Sequence, residues 1–313
     1  MKILSIVVPV VNINENLNIL FDSLSKWKDS RIEIVIVNQT QKKLDQSLID
    51  FISPINVIDY LTEHIFSAAI ARNTGANIAS GKYIFFMDDD AILHSNYENL
   101  TELIQLLDEG TLDLIAVQRG EMINGSYSTH WPGNPPYLDF YNFPRYIIEW
   151  NLIVKKSFFL IDLGGFPEVG VGSKHSALSG EAFVLIAKGI EKKMNSKLLA
   201  SIKVSHPGLF EKAKSLKTIL GYSYGAGYAV SIIMKKQSKK IWFYWILRIV
   251  ISAFKDLYEK DRNILTLEKI NEKHYRLALA RCKIQGFIDG AKNKYPKEQF
   301  WLNTQAEKVK KLK

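Results

Sequence analysis

Apolar and amphipathic stretches alternate along the first 118 residues. Residues 3–11 form a strand-like apolar run. Asn14-Glu15-Asn16 then opens an amphipathic helix, with Leu17, Leu20, Phe21, Leu24 and Trp27 at helical spacing. Ile32 to Val37 alternates little, the mark of a strand buried on both faces, and ends at the polar loop Asn38-Gln39-Thr40. A helix follows near Leu44–Ile52, a short strand at Asn56–Tyr60 and a helix from Phe66 to Ala79. The strand Tyr83–Met87, a helix near Tyr97–Leu107 and the strand Asp113–Gln118 complete the series. Strand and helix alternating at these intervals predict an α/β fold, Rossmann-like, with a mainly parallel central sheet flanked by helices. Such sheets bind ligands outside the carboxyl ends of their strands, where both Asn38 and Asp88–Asp90 fall.

The run Tyr83-Ile84-Phe85-Phe86-Met87 leads directly into Asp88, Asp89 and Asp90. Three like charges at a strand end repel one another unless something cationic sits among them. If the strand continues, alternation puts Asp88 and Asp90 on one face and Asp89 on the other. Oxygen ligands at that spacing suit a hard divalent cation, Mg2+ or Mn2+. The alternatives are a solvated acidic turn, or carboxylates capping a helix that begins near Ile92.

Beyond residue 118 the pattern changes. Gly120 to Tyr146 is irregular and ring-rich, and Trp131 within Trp131-Pro132-Gly133-Asn134-Pro135-Pro136-Tyr137 marks a ligand-facing loop or a structural flap. Gly164-Gly165-Phe166-Pro167-Glu168 is a sharp turn, and a glycine-punctuated loop ends at Glu181, before a helix expected from Phe183. Ile241–Phe254 is apolar on nearly every side, but too short to span a bilayer and interrupted by Arg248. It reads as a helix lying in the plane of a membrane surface, or as a core or dimer helix. Charge sharpens that choice. The chain's net charge is +9, yet residues 235–313 hold 20 of the 41 Lys+Arg and only 8 of the 32 Asp+Glu. A basic tail on a mildly acidic body suits an anionic surface such as lipid headgroups. No recognisable nucleic-acid module accompanies the charge, so nucleic acid is not an expected partner. The single cysteine, Cys282, excludes an intramolecular disulfide framework and a cysteine-based zinc site. The first residues lead directly into a strand rather than a signal sequence, and the expected location is cytoplasmic.

The order of these features resembles family 2 glycosyltransferases, inverting enzymes of the GT-A fold. The resemblance is carried by Ser5-Ile6-Val7-Val8-Pro9-Val10-Val11-Asn12, Val37-Asn38-Gln39-Thr40, Ala71-Arg72-Asn73-Thr74-Gly75, Gly81 through Asp90, Gly164-Gly165-Phe166-Pro167-Glu168 and Ser179-Gly180-Glu181. It implies a glycosyltransferase domain over 1–210, with a nucleotide-sugar half of about 1–118 and an acceptor half of about 119–210. A basic, helical region over 211–313 follows, with tails similar to those of relatives that build bacterial surface polysaccharides.

The family's DXD motif falls on Asp88 and Asp90, implying Mn2+ or Mg2+ bridging the diphosphate of a nucleotide-sugar. His206 sits where some relatives complete the metal shell or touch the diphosphate. Pro9, Val11, Asn38, Arg72, Asp88, Asp89 and Trp131 are the implied substrate contacts. The implied partners are a nucleoside-diphosphate sugar, a saccharide or lipid-linked acceptor, the membrane surface and a second copy of the chain. Two positions depart from the family. Asn38 stands where an Asp usually holds the base or ribose, which puts uridine specificity in question. Ser179-Gly180-Glu181-Ala182 lacks the second carboxylate of the usual Glu-Asp pair. Glu181 itself becomes the expected base, with His175, Asp162 and Glu168 as alternatives. The same departures admit a nucleotide-sugar or carbohydrate-binding protein without catalysis. Nucleotidyl transfer fits less well, because residues 9–16 contain neither Gly nor Lys to cradle a triphosphate.

Overall fold

The computed structural model describes residues 2–62, 67–123, 126–128, 137–207, 214–235, 237–258 and 272–310. The chain divides into two compact units. The first comprises Met1–Ile65, Ile70–Gly165 and Gly189–Gly208, and the second Phe66–Ala69, Phe166–Lys188 and Leu209–Lys313.

The first unit is built on one sheet. Its strands are β1 (Leu4–Val10), β2 (Ile32–Asn38), β3 (Asn56–Leu61), β4 (Tyr83–Phe86), β5 (Ile92–Leu93), β6 (Leu114–Ile123), β7 (Ser126–Ser128), β8 (Leu152–Lys155) and β9 (Ser196–Pro207). They run in the order β3-β2-β1-β4-β8-β6-β9-β5, with β7 paired to β6. β3, β2, β1 and β4 are mutually parallel, and β6 runs parallel to β9. β8 enters antiparallel between β4 and β6. β2 is buried at every position, as its unbroken apolar run requires.

Helix α1 (Glu15–Leu24) starts at Asn14, whose side chain accepts from the Asn16 amide, and buries Leu17, Leu20, Phe21 and Leu24. α2 (Gln46–Phe51) and α3 (Ala68–Ile78) precede β3 and β4 in the chain. α4 (Tyr97–Asp108) opens with a reciprocal Asn96–Asn99 capping box and buries Leu100, Leu103, Ile104 and Leu107. Each such buried side chain contributes about 1.5–3 kcal/mol of transfer free energy.

The acidic triplet is not an extension of the strand. β4 ends at Phe86, the Met87 amide still donates to the Val7 carbonyl, and a turn then closes with the Ala91 amide on the Asp88 carbonyl. β8 pairs no further than Phe85 and β1 no further than Phe86, so the chain leaves the sheet there. Ile92 belongs to a short strand rather than to a helix start.

A carboxylate also fixes the opposite end of the parallel strands. Glu33 on β2 is 1% exposed and accepts from Ser5 Oγ at 2.6 Å, Ser80 Oγ at 2.6 Å and the Ser80 amide at 2.5 Å. Gly81 packs onto the same point, where a Cβ would lie 2.4 Å from Ser5 Oγ. Burial opposes the charge on Glu33, but the donors from Ser5 and Ser80 outweigh it and hold the carboxyl below its ordinary value of 4.5.

The second unit is helical. α5 (Glu181–Glu191) begins in it, followed by α6 (Leu216–Met234), α7 (Lys239–Tyr258), α8 (Glu272–Ala291) and α9 (Gln299–Lys310). α6 and α8 approach closely through Gly227 and Gly286, where added Cβ atoms would stand 1.9 Å from the Lys283 carbonyl oxygen and 2.0 Å from that of Tyr224. Burial pushes the Tyr224 phenol well above its usual range, aided by the bond it donates to Asp289 at 2.8 Å.

The Glu33 cluster sets a pH test. Glu33→Gln is expected to cost about 1–3 kcal/mol at neutral pH by stranding the surrounding donors. A depressed carboxyl stabilises the fold above its unfolded pKa and loses that contribution as pH falls through the folded value. Urea melts of both proteins are therefore expected to converge as the pH drops below about 4.5; a constant difference contradicts the assignment.

Candidate functional site

Asn38, at the carboxyl end of β2, and the acidic turn after β4 lie at the same sheet edge, because β2, β1 and β4 are neighbouring parallel strands. Arg72 approaches from α3 and donates to Asp88 Oδ1 at 2.5 Å, with its side chain 5% exposed. Gly75, one turn further along α3, lets the helix lie close to β1 and β2: a Cβ there would stand 2.4 Å from a Val7 methyl group.

His206 comes to the turn from far along the chain. The segment after the acidic turn is zipped to β9: Ile92 pairs with Ser205, the His94 amide donates to the Lys203 carbonyl and Ser95 Oγ accepts from the Lys203 amide. His94 Nε2 lies 2.6 Å from Ser205 Oγ, and burial, aided by Lys26 and Lys203, pulls its pKa down. β9 thus delivers His206 Nε2 to 2.9 Å from Asp90 Oδ1 and 3.7 Å from Asp88 Oδ2. The His206 ring lies flat on Trp150, centroids 5.4 Å apart and planes 12° from parallel. Asn151, beside Trp150, donates to the Val117 carbonyl at 2.8 Å and the Tyr146 carbonyl at 2.7 Å, which fixes that short turn.

Asp88, Asp90 and His206 each offer a ligand atom within a 4.8 Å cluster. The two carboxylate oxygens suit Mn2+ or Mg2+, and the imidazole nitrogen favours the softer Mn2+ of the two. Adjacent ligands on an octahedral ion about 2.1 Å away stand about 3 Å apart, and the separations of 2.9 Å and 3.7 Å bracket that edge. Asp89, half-buried, follows in the turn.

The other expected residues divide. Pro9 is half-buried in β1, and Val11, just past its end, is 59% exposed. Asn38 is fully buried. Its Nδ2 donates to Asp59 Oδ1 at 2.8 Å and the Lys42 carbonyl at 2.7 Å, and its Oδ1 accepts from the Thr40 amide and hydroxyl at 3.0 Å and 2.7 Å. An amide suits this place because a carboxylate would face the Asp59 carboxylate directly. Asp59 also accepts from the Leu44 amide at 2.8 Å, so the pair braces the loop that follows β2. Trp131 lies outside the described residues.

Glu181 belongs to the second unit. It is the first residue of α5 and 3% exposed. Gly170 crosses its carboxylate with φ +102°, where any Cβ would fall 2.3 Å from Oε1. Of the alternative bases, Asp162 is exposed with Lys192 at 3.8 Å, and Glu168 is exposed. His175 is backbone-paired with Glu298 and packs edge-on to Tyr295 at 4.7 Å. Sequence reasoning missed Trp150 and Asp59, since nothing local in the chain pairs either with its partner.

The sequence profile of glycosyl transferase family 2 matches residues 5–165, over half of the chain and all of the elements that carry Asn38, Arg72 and the acidic turn. The chain belongs to glycosyl transferase family 2. Its relatives include the amylovoran biosynthesis glycosyltransferase AmsB of Erwinia amylovora, 28% identical over 142 residues, which are 42% of this chain and 46% of AmsB. Glycosyltransferase GlyA of Streptococcus pneumoniae is 30% identical over 95 residues, 30% of this chain and 14% of GlyA. The chain thus spans less than half the length of these curated relatives. Among solved structures, S. aureus TarS 1-349 in complex with UDP-GlcNAc aligns with a TM-score of 0.59 and 16% identity, over 94% of this chain and 93% of that one. The mannosyltransferase PcManGT from Pyrobaculum calidifontis, in complex with GDP-Man and Mn2+, aligns with a TM-score of 0.56 and 14% identity, over 90% and 86%. At these identities the likeness shows the fold alone, the GT-A arrangement of a curled α/β sheet with a helical C-terminal part.

The stack on His206 gives the site prediction. Trp150→Ala is expected to weaken Mn2+ binding about tenfold, within the range for residues that orient a ligand, whereas Trp150→Phe keeps most of the affinity. Calorimetric titration of Mn2+ reads this out; equal affinity in the alanine variant and wild type removes Trp150 from the site.

Proposed function

We propose that the chain is an inverting glycosyltransferase that moves a sugar from a nucleoside-diphosphate sugar to a saccharide or lipid-linked saccharide of a bacterial surface polysaccharide. The observation that carries this reading is the convergence of Asp88, Asp90 and His206 at the carboxyl edge of the sheet, with Arg72 on Asp88. In this reading the three residues hold Mn2+ or Mg2+, which when bound neutralises the charge that develops on the departing diphosphate. Arg72 aims Asp88 through its hydrogen bond to Oδ1, and its guanidinium suits the phosphate oxygens. The acceptor hydroxyl oxygen bonds to the sugar's anomeric carbon as the bond from that carbon to the diphosphate oxygen breaks. The hydroxyl proton passes to Glu181. The relative AmsB, named for amylovoran biosynthesis, supports the acceptor class, and neighbours bound to UDP-GlcNAc and to GDP-Man with Mn2+ support the donor class.

A second reading is a nucleotide-sugar or carbohydrate-binding protein without turnover. It draws on the near-complete burial of Glu181 and on Asn38, whose amide is spent on the loop after β2.

Acceptor-dependent release of nucleoside diphosphate separates the two. Wild type is expected to release it, Asp90→Ala and chelated enzyme to lose the activity, and Glu181→Gln to fall about 10²–10⁴-fold in kcat with donor binding retained. Donor binding with no release across a panel of saccharide acceptors supports the second reading. Full activity of Asp90→Ala under chelation refutes the first.

A further inference from the structure

α7 presents an apolar face to solvent that the glycosyltransfer reading does not use. Phe243, Leu247, Val250, Ile251, Phe254 and Tyr258 are all exposed, Phe243 by 64% and Phe254 by 56%, and their spacing puts them on one side of the helix. The opposite side, with Trp245, Ile249 and Ala253, is buried within the unit. Tyr258, 74% exposed, closes the face at its C-terminal end with a ring that carries a polar atom.

The charges on α7 are sorted as sharply as the apolar groups. Lys239, Lys240 and Lys255 are exposed, and Arg248 is half-buried with Nη1 on the Tyr244 hydroxyl at 3.2 Å. Asp256 is the only carboxylate on the helix. It is 3% exposed, turned inward onto the buried Lys283 ammonium of α8, which also donates to Ser252 Oγ at 2.8 Å. The outward face is therefore apolar and cationic, with its one anion neutralised inside. Among the described residues, no helix is long and apolar enough to cross a membrane.

We propose that the outward face of α7 lies in the plane of an anionic lipid surface, rings and aliphatic chains among the acyl boundary and lysines at the headgroups. Buried apolar area and attraction to anionic lipid act together on such a helix. A second copy of the chain fits this face worse. A two-fold interface must be complementary to itself, and this face offers several cations and no outward carboxylate on α7 to meet them. The inference concerns α7 alone and does not depend on the donor site or on catalysis.

Cosedimentation of the full chain with phosphatidylcholine vesicles, with and without phosphatidylglycerol, tests it. Wild type is expected to bind the phosphatidylglycerol vesicles, and to release as salt is raised. Phe243→Asp with Phe254→Asp is expected to lower partitioning at least about tenfold. So is Lys239→Glu with Lys240→Glu, which alters only exposed side chains and so keeps the fold. Phe51→Asp, an exposed ring of the first unit, leaves binding unchanged. Wild type left unbound by both vesicle types overturns the proposal, as does equal binding to neutral vesicles. So does a dimer in sedimentation equilibrium that the Phe243/Phe254 variant splits, with no vesicle binding by either protein.

Discussion

Asp88 and Asp90 share one turn at one strand end, and two carboxylates in such proximity resist being charged together. Two unit charges about 4 Å apart repel by about 4 kcal/mol at an effective dielectric of about 20, and the ligand atoms of this cluster lie within 4.8 Å of one another. Arg72 counters it from the helix side, and β9 sets His206 Nε2 2.9 Å from Asp90 Oδ1. The nearly buried guanidinium is held 2.5 Å from Asp88 Oδ1, where its fixed positive charge offsets part of the repulsion. Much of the first unit serves this balance: α3 is laid onto β1 and β2 over Gly75 to carry Arg72, and β5 is zipped to β9 to carry His206.

How far the sequence revealed this depends on the range of the interaction. Local patterns announced β1, β2 and β4, the amphipathic faces of α1 and α4, and the acidic triplet, because periodicity and strand-end chemistry are written within a few residues. Strand alternation would put Asp88 and Asp90 on one face, but they are close for another reason: the ladder stops at Phe86 and a turn gathers them. The insertion of β8 between β4 and β6 is a tertiary choice that no local run encodes. Trp150 under His206 depends on that insertion and on the β9 register, so the chain order alone is silent about it.

Asn38 shows the complementary case. As a letter it looked like a weakened substrate contact. In the fold it is a loop brace whose four hydrogen bonds are spent on Asp59, Lys42 and Thr40, and the neighbouring carboxylate explains why an amide stands there. The burial of Glu181 was likewise invisible in sequence, since it comes from Gly170 passing over the carboxylate in a backbone conformation that glycine favours.

The central claim is that Asp88, Asp90 and His206 together hold one divalent ion. Pulsed electron paramagnetic resonance of Mn2+ bound to the protein with a nucleoside diphosphate tests it most directly. The account predicts a nitrogen coupling from a directly bound imidazole in the wild type, absent in His206→Gln. A wild-type spectrum without nitrogen coupling, or a coupling that survives the substitution, would contradict it.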